Sequence, residues 1–127
     1  MDTATAGQLG NQHFPVMDRM KIRQHIDRRW MRLLSPAEFK VLVLIFDRTI
    51  AWGRSSERIS MREFVDGRGN YTQGTGMSVR TIQRALRNLI EQRIVIAELR
   101  TGAPTLFTIN LNWAGTDEIP VPTMQLD

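Results

Sequence analysis

Three helix starts built to one design constrain this chain more than any other feature of it. Ser35-Pro36-Ala37-Glu38, Ser60-Met61-Arg62-Glu63 and Ser78-Val79-Arg80-Thr81 each begin with a serine whose hydroxyl can accept from the unpaired N–H groups of a first helical turn. In the first two, a glutamate stands three residues after the serine, the spacing of a capping box, and Pro36 brings a fixed φ to the first helical position. Each serine also has an apolar residue just before it and another four after it. These pairs, Leu34/Phe39, Ile59/Phe64 and Met77/Ile82, have the spacing of a hydrophobic staple. A chain punctuated this way is committed to short helices with fixed entry angles, each tied at its first turn to an apolar interior.

The rest of the pattern fits around those starts. The helix opening at Ser35 runs through Val41-Leu42-Val43-Leu44-Ile45-Phe46, apolar nearly all round, and so is expected at the centre of the core, ending near Trp52-Gly53. Upstream, residues 17–34 predict a helix on which Ile22, Ile26, Trp30 and Leu34 form an i, i+4 stripe. Arg58-Ile59 is expected as a short strand, and the Ser60 helix is expected to stop near Asp66-Gly67. A glycine-rich connection, residues 67–76, follows; it is longer than the turn of a simple helix-turn-helix. After the Ser78 helix, residues 94–99 are rich in β-branched side chains and residues 100–105 form a turn-rich connector. Residues 106–113 then alternate, with Phe107, Ile109, Leu111 and Trp113 on one face, which predicts a hairpin.

The expected fold is therefore mainly α with a small β-hairpin, an α+β domain over residues 14–113. Its element order is that of a winged helix-turn-helix preceded by an extra helix, with the hairpin as the wing. Residues 1–13 read as a disordered arm and residues 114–127 as a C-terminal tail.

The third start differs from the other two. It has no acid in its first turn and carries Arg80 and Arg84 instead. Cations there oppose the positive end of the helix macrodipole, at about 0.3–1 kcal/mol each, a penalty that an anionic partner would reverse. On this helix Val79, Ile82, Leu86, Leu89 and Ile90 fall on one face at helical spacing, and basic groups at the start of such an amphipathic helix are what reading a DNA major groove requires. Arg80 and Arg84 would fork to guanine or clamp phosphate, Thr81 would meet a thymine methyl or a phosphate, and Gln83 and Asn88 are candidates for adenine. Ser78 and Arg87 are expected on the backbone. Arg93 and Arg100 bracket the first strand of the hairpin, and Arg100, near its tip, is a further phosphate candidate. Arg68 and Tyr71 lie in the glycine-rich loop, read either as a connector that orders on DNA or as a plain loop. Its Gly74-Thr75-Gly76-Met77-Ser78 lacks the Gly-Lys-Ser/Thr ending of a nucleotide-binding loop.

Composition narrows the class. With 127 residues the chain suits one domain, and its net charge of +4 is carried by residues nearly all of which are arginine, Lys21 and Lys40 being the two lysines. Arginine is the better fork for phosphate and guanine. There is no cysteine, which excludes disulfides and thiolate metal sites. No signal peptide and no membrane-length apolar run is present, so a cytoplasmic protein is expected. Two histidines, His13 and His25, make no metal-ligand spacing with Asp18, Asp27 or Asp47, and no serine sits in a nucleophile elbow. No catalysis, metal or cofactor is expected; Glu38 and Glu63 are accounted for by capping. The basic run Arg19, Lys21, Arg23, Arg28, Arg29 and Arg32 reads as a solvated face, with DNA-backbone contact or a homodimer surface as its alternatives. Trp30 and Trp113 are assigned to the core.

From Leu34 to Trp113 the chain resembles the winged-helix DNA-binding domain of bacteriophage replication initiators, the replication protein O or replisome-organiser type. The residues carrying the resemblance are Leu34-Ser35-Pro36-Ala37-Glu38-Phe39-Lys40-Val41-Leu42, Arg48-Thr49-Ile50-Ala51-Trp52-Gly53, Ile59-Ser60 and Gly76-Met77-Ser78-Val79-Arg80-Thr81-Ile82. Ala51 stands where that family often has glycine. The resemblance implies binding of double-stranded DNA at a phage or plasmid origin and recruitment of replication proteins such as a helicase or its loader. In that family recruitment commonly uses a separate C-terminal region, and here only the short tail follows the hairpin, so DNA binding is the property carried over. An operator-binding transcriptional regulator and a winged-helix protein–protein adaptor are the competing expectations.

Overall fold

The computed structural model describes residues 14–69 and 73–114. Among them, helix α1 (residues 16–33) is made of the α-helical Val16–His25, a π-helical turn Ile26–Trp30 and a last turn Met31–Leu33. Its stripe Ile22, Ile26, Trp30 and Leu34 is buried throughout. The π turn has a reason in that spacing. On an α-helix a four-residue step overshoots a full turn by about 40°, so four such residues would drift round the helix. One wider turn takes the drift back and keeps the stripe on one side.

Helix α2 (Pro36–Arg48) opens with the capping box complete: Glu38 N–H donates to Ser35 Oγ at 3.2 Å and Ser35 N–H donates to Glu38 Oε1 at 3.1 Å. Val41, Leu42, Leu44, Ile45 and Phe46 are all buried, as the nearly all-round apolar run requires. The helix closes through a 3₁₀ turn, Ile50–Trp52, and Gly53 at φ 79°. Strand β1 is Ser56–Arg58, helix α3 is Met61–Asp66 and helix α4 is Val79–Glu91. Ser60 and Ser78 cap α3 and α4, accepting from Glu63 N–H and Thr81 N–H at 3.2 Å each. Strands β2 (Val95–Arg100) and β3 (Ala103–Ile109) complete a three-stranded antiparallel sheet of order β1-β3-β2, in which Phe107 lies opposite both Glu57 and Ala97. The core joins α1, α2 and α4 to Val95, Phe107 and Ile109 of the sheet, and Phe64 of α3 meets Phe107 edge to face at 5.3 Å.

Four expectations are corrected. The capping box at Ser60 is only half made, because the Glu63 carboxylate turns away to accept from Arg48 at 2.6 Å. The connector expected over residues 100–105 is only Thr101-Gly102, and β3 begins at Ala103. Pro104 hid this; it falls at the register shift between Glu98 and Arg100 and beyond the end of β1, where a missing N–H costs no ladder bond. The alternation does not run to Trp113: β3 stops at Ile109 and Leu111–Ala114 is a helical turn. Asn110 makes that break, its N–H donating to Ile94 O, its Nδ2 to Arg93 O, and its Oδ1 accepting from Asn112 N–H. Finally, Val79 and Ile90 are 45% and 38% exposed, at the edges of the α4 stripe rather than within it.

The end of α4 is a Schellman motif. Ile94 N–H donates to Leu89 O and Arg93 N–H donates to Ile90 O, with Arg93 itself in the left-handed region at φ 63°. The buried Ile94 that follows pins the turn to the core and starts the hairpin in a fixed direction.

Candidate nucleic-acid interface

The buried side of α4 is Ile82, Ala85, Leu86 and Leu89. At 3.6 residues per turn, Arg80, Arg84 and Arg87 then lie on the opposite side, and all three are exposed. Gln83, also exposed, flanks them on the side toward the hairpin. Thr81 and Asn88 flank them on the side toward α2. Asn88 Nδ2 donates to Glu38 Oε2 at 2.8 Å, so this side chain joins α4 to the capped start of α2 and is committed to packing. Thr81 accepts from Ser78 Oγ at 3.0 Å and is half-buried.

Like Arg80, Arg84 and Arg87, the side chains of Arg28, Arg32, Arg62, Arg93 and Arg100 are exposed and without a partner among the described residues. Arg80, Arg84 and Arg87 differ in sharing one face of one helix, and the remaining arginines are held within the fold. Arg19 donates to Phe14 O and Ala51 O, Arg23 pairs with Asp27 and Asp47 and lies over Phe46, and Arg54 pairs with Glu57. Arg58 donates to Pro104 O, and Arg29 lies over Trp30. Arg80, Arg84 and Arg87 have no hydrogen bond or ion pair among the described residues, and α4 has no acid in its first turn. Of the basic run on α1, Arg19, Arg23 and Arg29 are engaged within the fold, whereas Lys21, Arg28 and Arg32 are exposed, as a solvated face requires. On the same helix, burial and the nearby Arg29 hold the His25 imidazole below its usual pKa. Burial raises the Asp47 carboxyl, with Arg23 opposing the shift.

The start of α4 is held rigidly. Thr75 donates to Phe64 O through both its N–H and its Oγ1 at 2.8 Å, and Gly76 N–H donates to Val65 O. Thr75 Oγ1 in turn accepts from Met77 N–H. Gly74 sits at φ 77° against α3, where an added Cβ would lie 2.5–2.7 Å from backbone atoms of Val65, Asp66 and Gly67. The last residues of the glycine-rich connection are therefore a splice between α3 and α4. Tyr71 lies outside the described residues. Arg68 is exposed, 4.0 Å from Glu57, and Arg100 is exposed beside the hairpin turn.

Sequence reasoning missed the Arg48 cluster. Arg48 is fully buried, donating to Glu63 at 2.6 Å and to Glu57 at 3.4 Å. It ties the end of α2 to β1 and α3, so it sets the angle at which the α3–α4 pair meets the core. The available signal was a lone cation closing an apolar helix, with Glu63 nearby in sequence.

Between α3, α4 and the inner face of the hairpin lies an open apolar groove of about 650 Å³, walled by Phe64, Leu86, Ile90, Leu99, Pro104 and Phe107. Gln83, Arg87 and Glu91 line it from α4. Among the described residues no cluster of three or more His, Cys, Asp or Glu side chains is placed to hold a metal ion, and no helix is long and apolar enough to cross a membrane. Helices around a small antiparallel sheet, with an unpaired arginine face on one helix, define the molecule's class at this level. No family model, curated protein or solved structure matches the chain.

Proposed function

We propose that this is a winged helix-turn-helix protein that binds double-stranded DNA, with α4 as the recognition helix and the β2–β3 hairpin as the wing. The observation that carries the reading is the unpaired Arg80–Arg84–Arg87 face at the start of a serine-capped helix, in a chain whose other described arginines on α1, α2 and β1 are mostly engaged. The element order after α1, with sheet order β1-β3-β2, supports the winged-helix assignment. Arg80, Arg84 and Gln83 would meet base edges or phosphates in the major groove, Ser78 and Arg87 the backbone, and Arg100 the backbone beside the wing. Asn88 contributes by fixing the rotation of α4 through Glu38.

The resemblance to phage replication initiators directs the reading to origin binding in replication initiation. Footprinting across the native element tests that part: several repeated sites in an origin support it, and a single site over a promoter favours an operator. The DNA reading itself is tested by duplex titration at low and moderate salt. Affinity should fall steeply with salt, and Arg84→Ala should cost about 1–3 kcal/mol of specific binding if Arg84 reads a base. Negligible duplex affinity at low salt, with a protein partner recovered instead, would overturn it in favour of an adaptor.

A further inference from the structure

The sheet order β1-β3-β2 leaves β1 and β2 as edge strands, and the two edges differ. On β1 the charges are spent within the chain, where Glu57 meets Arg48 and Arg54, and Arg58 donates to Pro104 O. On β2 they are not. Glu98 and Arg100 share the outer face of the strand, both exposed and without a side-chain partner among the described residues. Leu99 between them belongs to the inner face, where it walls the groove and is nonetheless 84% exposed.

The backbone of that edge is available as well. Ile94 O accepts from Asn110 N–H, so by antiparallel alternation Ile96 and Glu98 bond β3. Val95, Ala97 and Leu99 then turn their N–H and C=O groups outward, and among the described residues no hydrogen bond from outside the sheet reaches them. The extra residue at the register shift lies on β3, so β2 has no bulge of its own to bend its edge away. Charges on an edge deter pairing with most strands. They favour a strand that carries the opposite charges in the opposite order, which an antiparallel copy of β2 does.

We propose that the β2 edge pairs antiparallel with the β2 edge of a second copy, with Leu99 on the two-fold axis. In that register Glu98 of each copy lies opposite Arg100 of the other, and the two Leu99 residues exchange both backbone hydrogen bonds. Neighbouring registers lack this match. An axis at Glu98 sets glutamate against glutamate, and an axis at Ala97 sets Glu98 against Ile96. The groove suits the same partner: Arg87 and Glu91 both line it, so their charges cancel, and the paired Leu99 side chains meet at its rim. The shared ladder is short, well below a standard interface of about 1,600 Å², so the dimer is weak and concentration-dependent. In the pair Arg100 is committed to the second copy, so the DNA-backbone role proposed for it belongs to the single chain. The pairing itself does not rest on the DNA reading, and both tests are made without DNA.

The first test is a charge-reversal cycle on the full chain, read by sedimentation equilibrium up to millimolar concentration. Glu98→Arg alone, or Arg100→Glu alone, puts like charges opposite each other at both contacts and should weaken self-association about tenfold or more. The two reversals together should restore it. Both side chains are exposed, so the fold is not at stake. A wild-type chain that stays monomeric throughout, or a double reversal as weak as the singles, would overturn the pairing. Association that no reversal alters would assign the second copy to another surface.

The second test traps the register, using the absence of cysteine from the chain. Residues 98 and 100 face each other as a non-hydrogen-bonded pair, with Cα atoms about 4.5 Å apart, within disulfide reach. A mixture of Glu98→Cys and Arg100→Cys proteins should therefore form the mixed disulfide several-fold faster than either variant links to itself. Equal rates would overturn the register.

Discussion

At the scale of the residue, Arg48 carries the largest single commitment. Burying a guanidinium is costly unless charges and hydrogen bonds meet it, and here Glu57, Glu63 and the carbonyl of Arg58 do so. Removing one member of a buried pair costs about 3–5 kcal/mol in general. Both glutamates keep some contact with solvent, so Arg48→Met should lie near the low end, a loss of about 3 kcal/mol by chemical denaturation. Arg48→Lys should recover only part of it, because an ammonium cannot span two carboxylates as a fork does. Neither change touches α4, so any loss of duplex affinity would report the tilt of the α3–α4 pair. Arg48 illustrates why a buried cation is hard to see in sequence. Its identity alone suggests surface, and its partners come from two later elements.

At the scale of the element, the splice between α3 and α4 matters more than its glycine content suggests. Gly74 is required twice over, by its left-handed φ and by the closeness of the α3 backbone. Gly74→Ala should cost about 2 kcal/mol or more, combining left-handed strain with overpacking against backbone that cannot move aside. Gly76 shares the left-handed φ but has open space around it, so Gly76→Ala should cost less; urea denaturation of the two variants side by side is the check. The helices themselves were legible in the sequence, because capping and staple spacing are local chemistry. The strand limits were not. Pro104 argued against strand, and only the register shift opposite it explains why it is tolerated. Leu111 and Trp113 continued the alternation on paper, but the Asn110 side chain ended it by bonding the backbone on both sides.

At the scale of the whole molecule, α1 is bound to the rest by apolar burial and by arginines directed at backbone and carboxylate oxygens. Its His25 is the titratable weak point. Burial and Arg29 depress its folded pKa below 6.5. Above pH 6.5 both states hold it neutral and stability is complete. As the pH falls below 6.5 the unfolded chain takes up the proton first, so stability declines until the depressed folded value is reached. His25→Gln should flatten that part of the profile, seen as a smaller shift in urea midpoint between pH 7.5 and pH 5.5. An unchanged slope would mean that the imidazole is solvated.

The sequence by itself determined the helix starts, the buried stripe of α1, the central helix and the arginine-bearing start of α4. Each follows from spacing within one or two turns, and such spacing is written directly in the chain. Tertiary structure alone decided which arginines are spent inside the molecule and which face outward, where Asn88 and Glu63 turn, and that a groove opens beside α4. Those outcomes depend on groups brought together from distant elements, and no local pattern encodes that proximity.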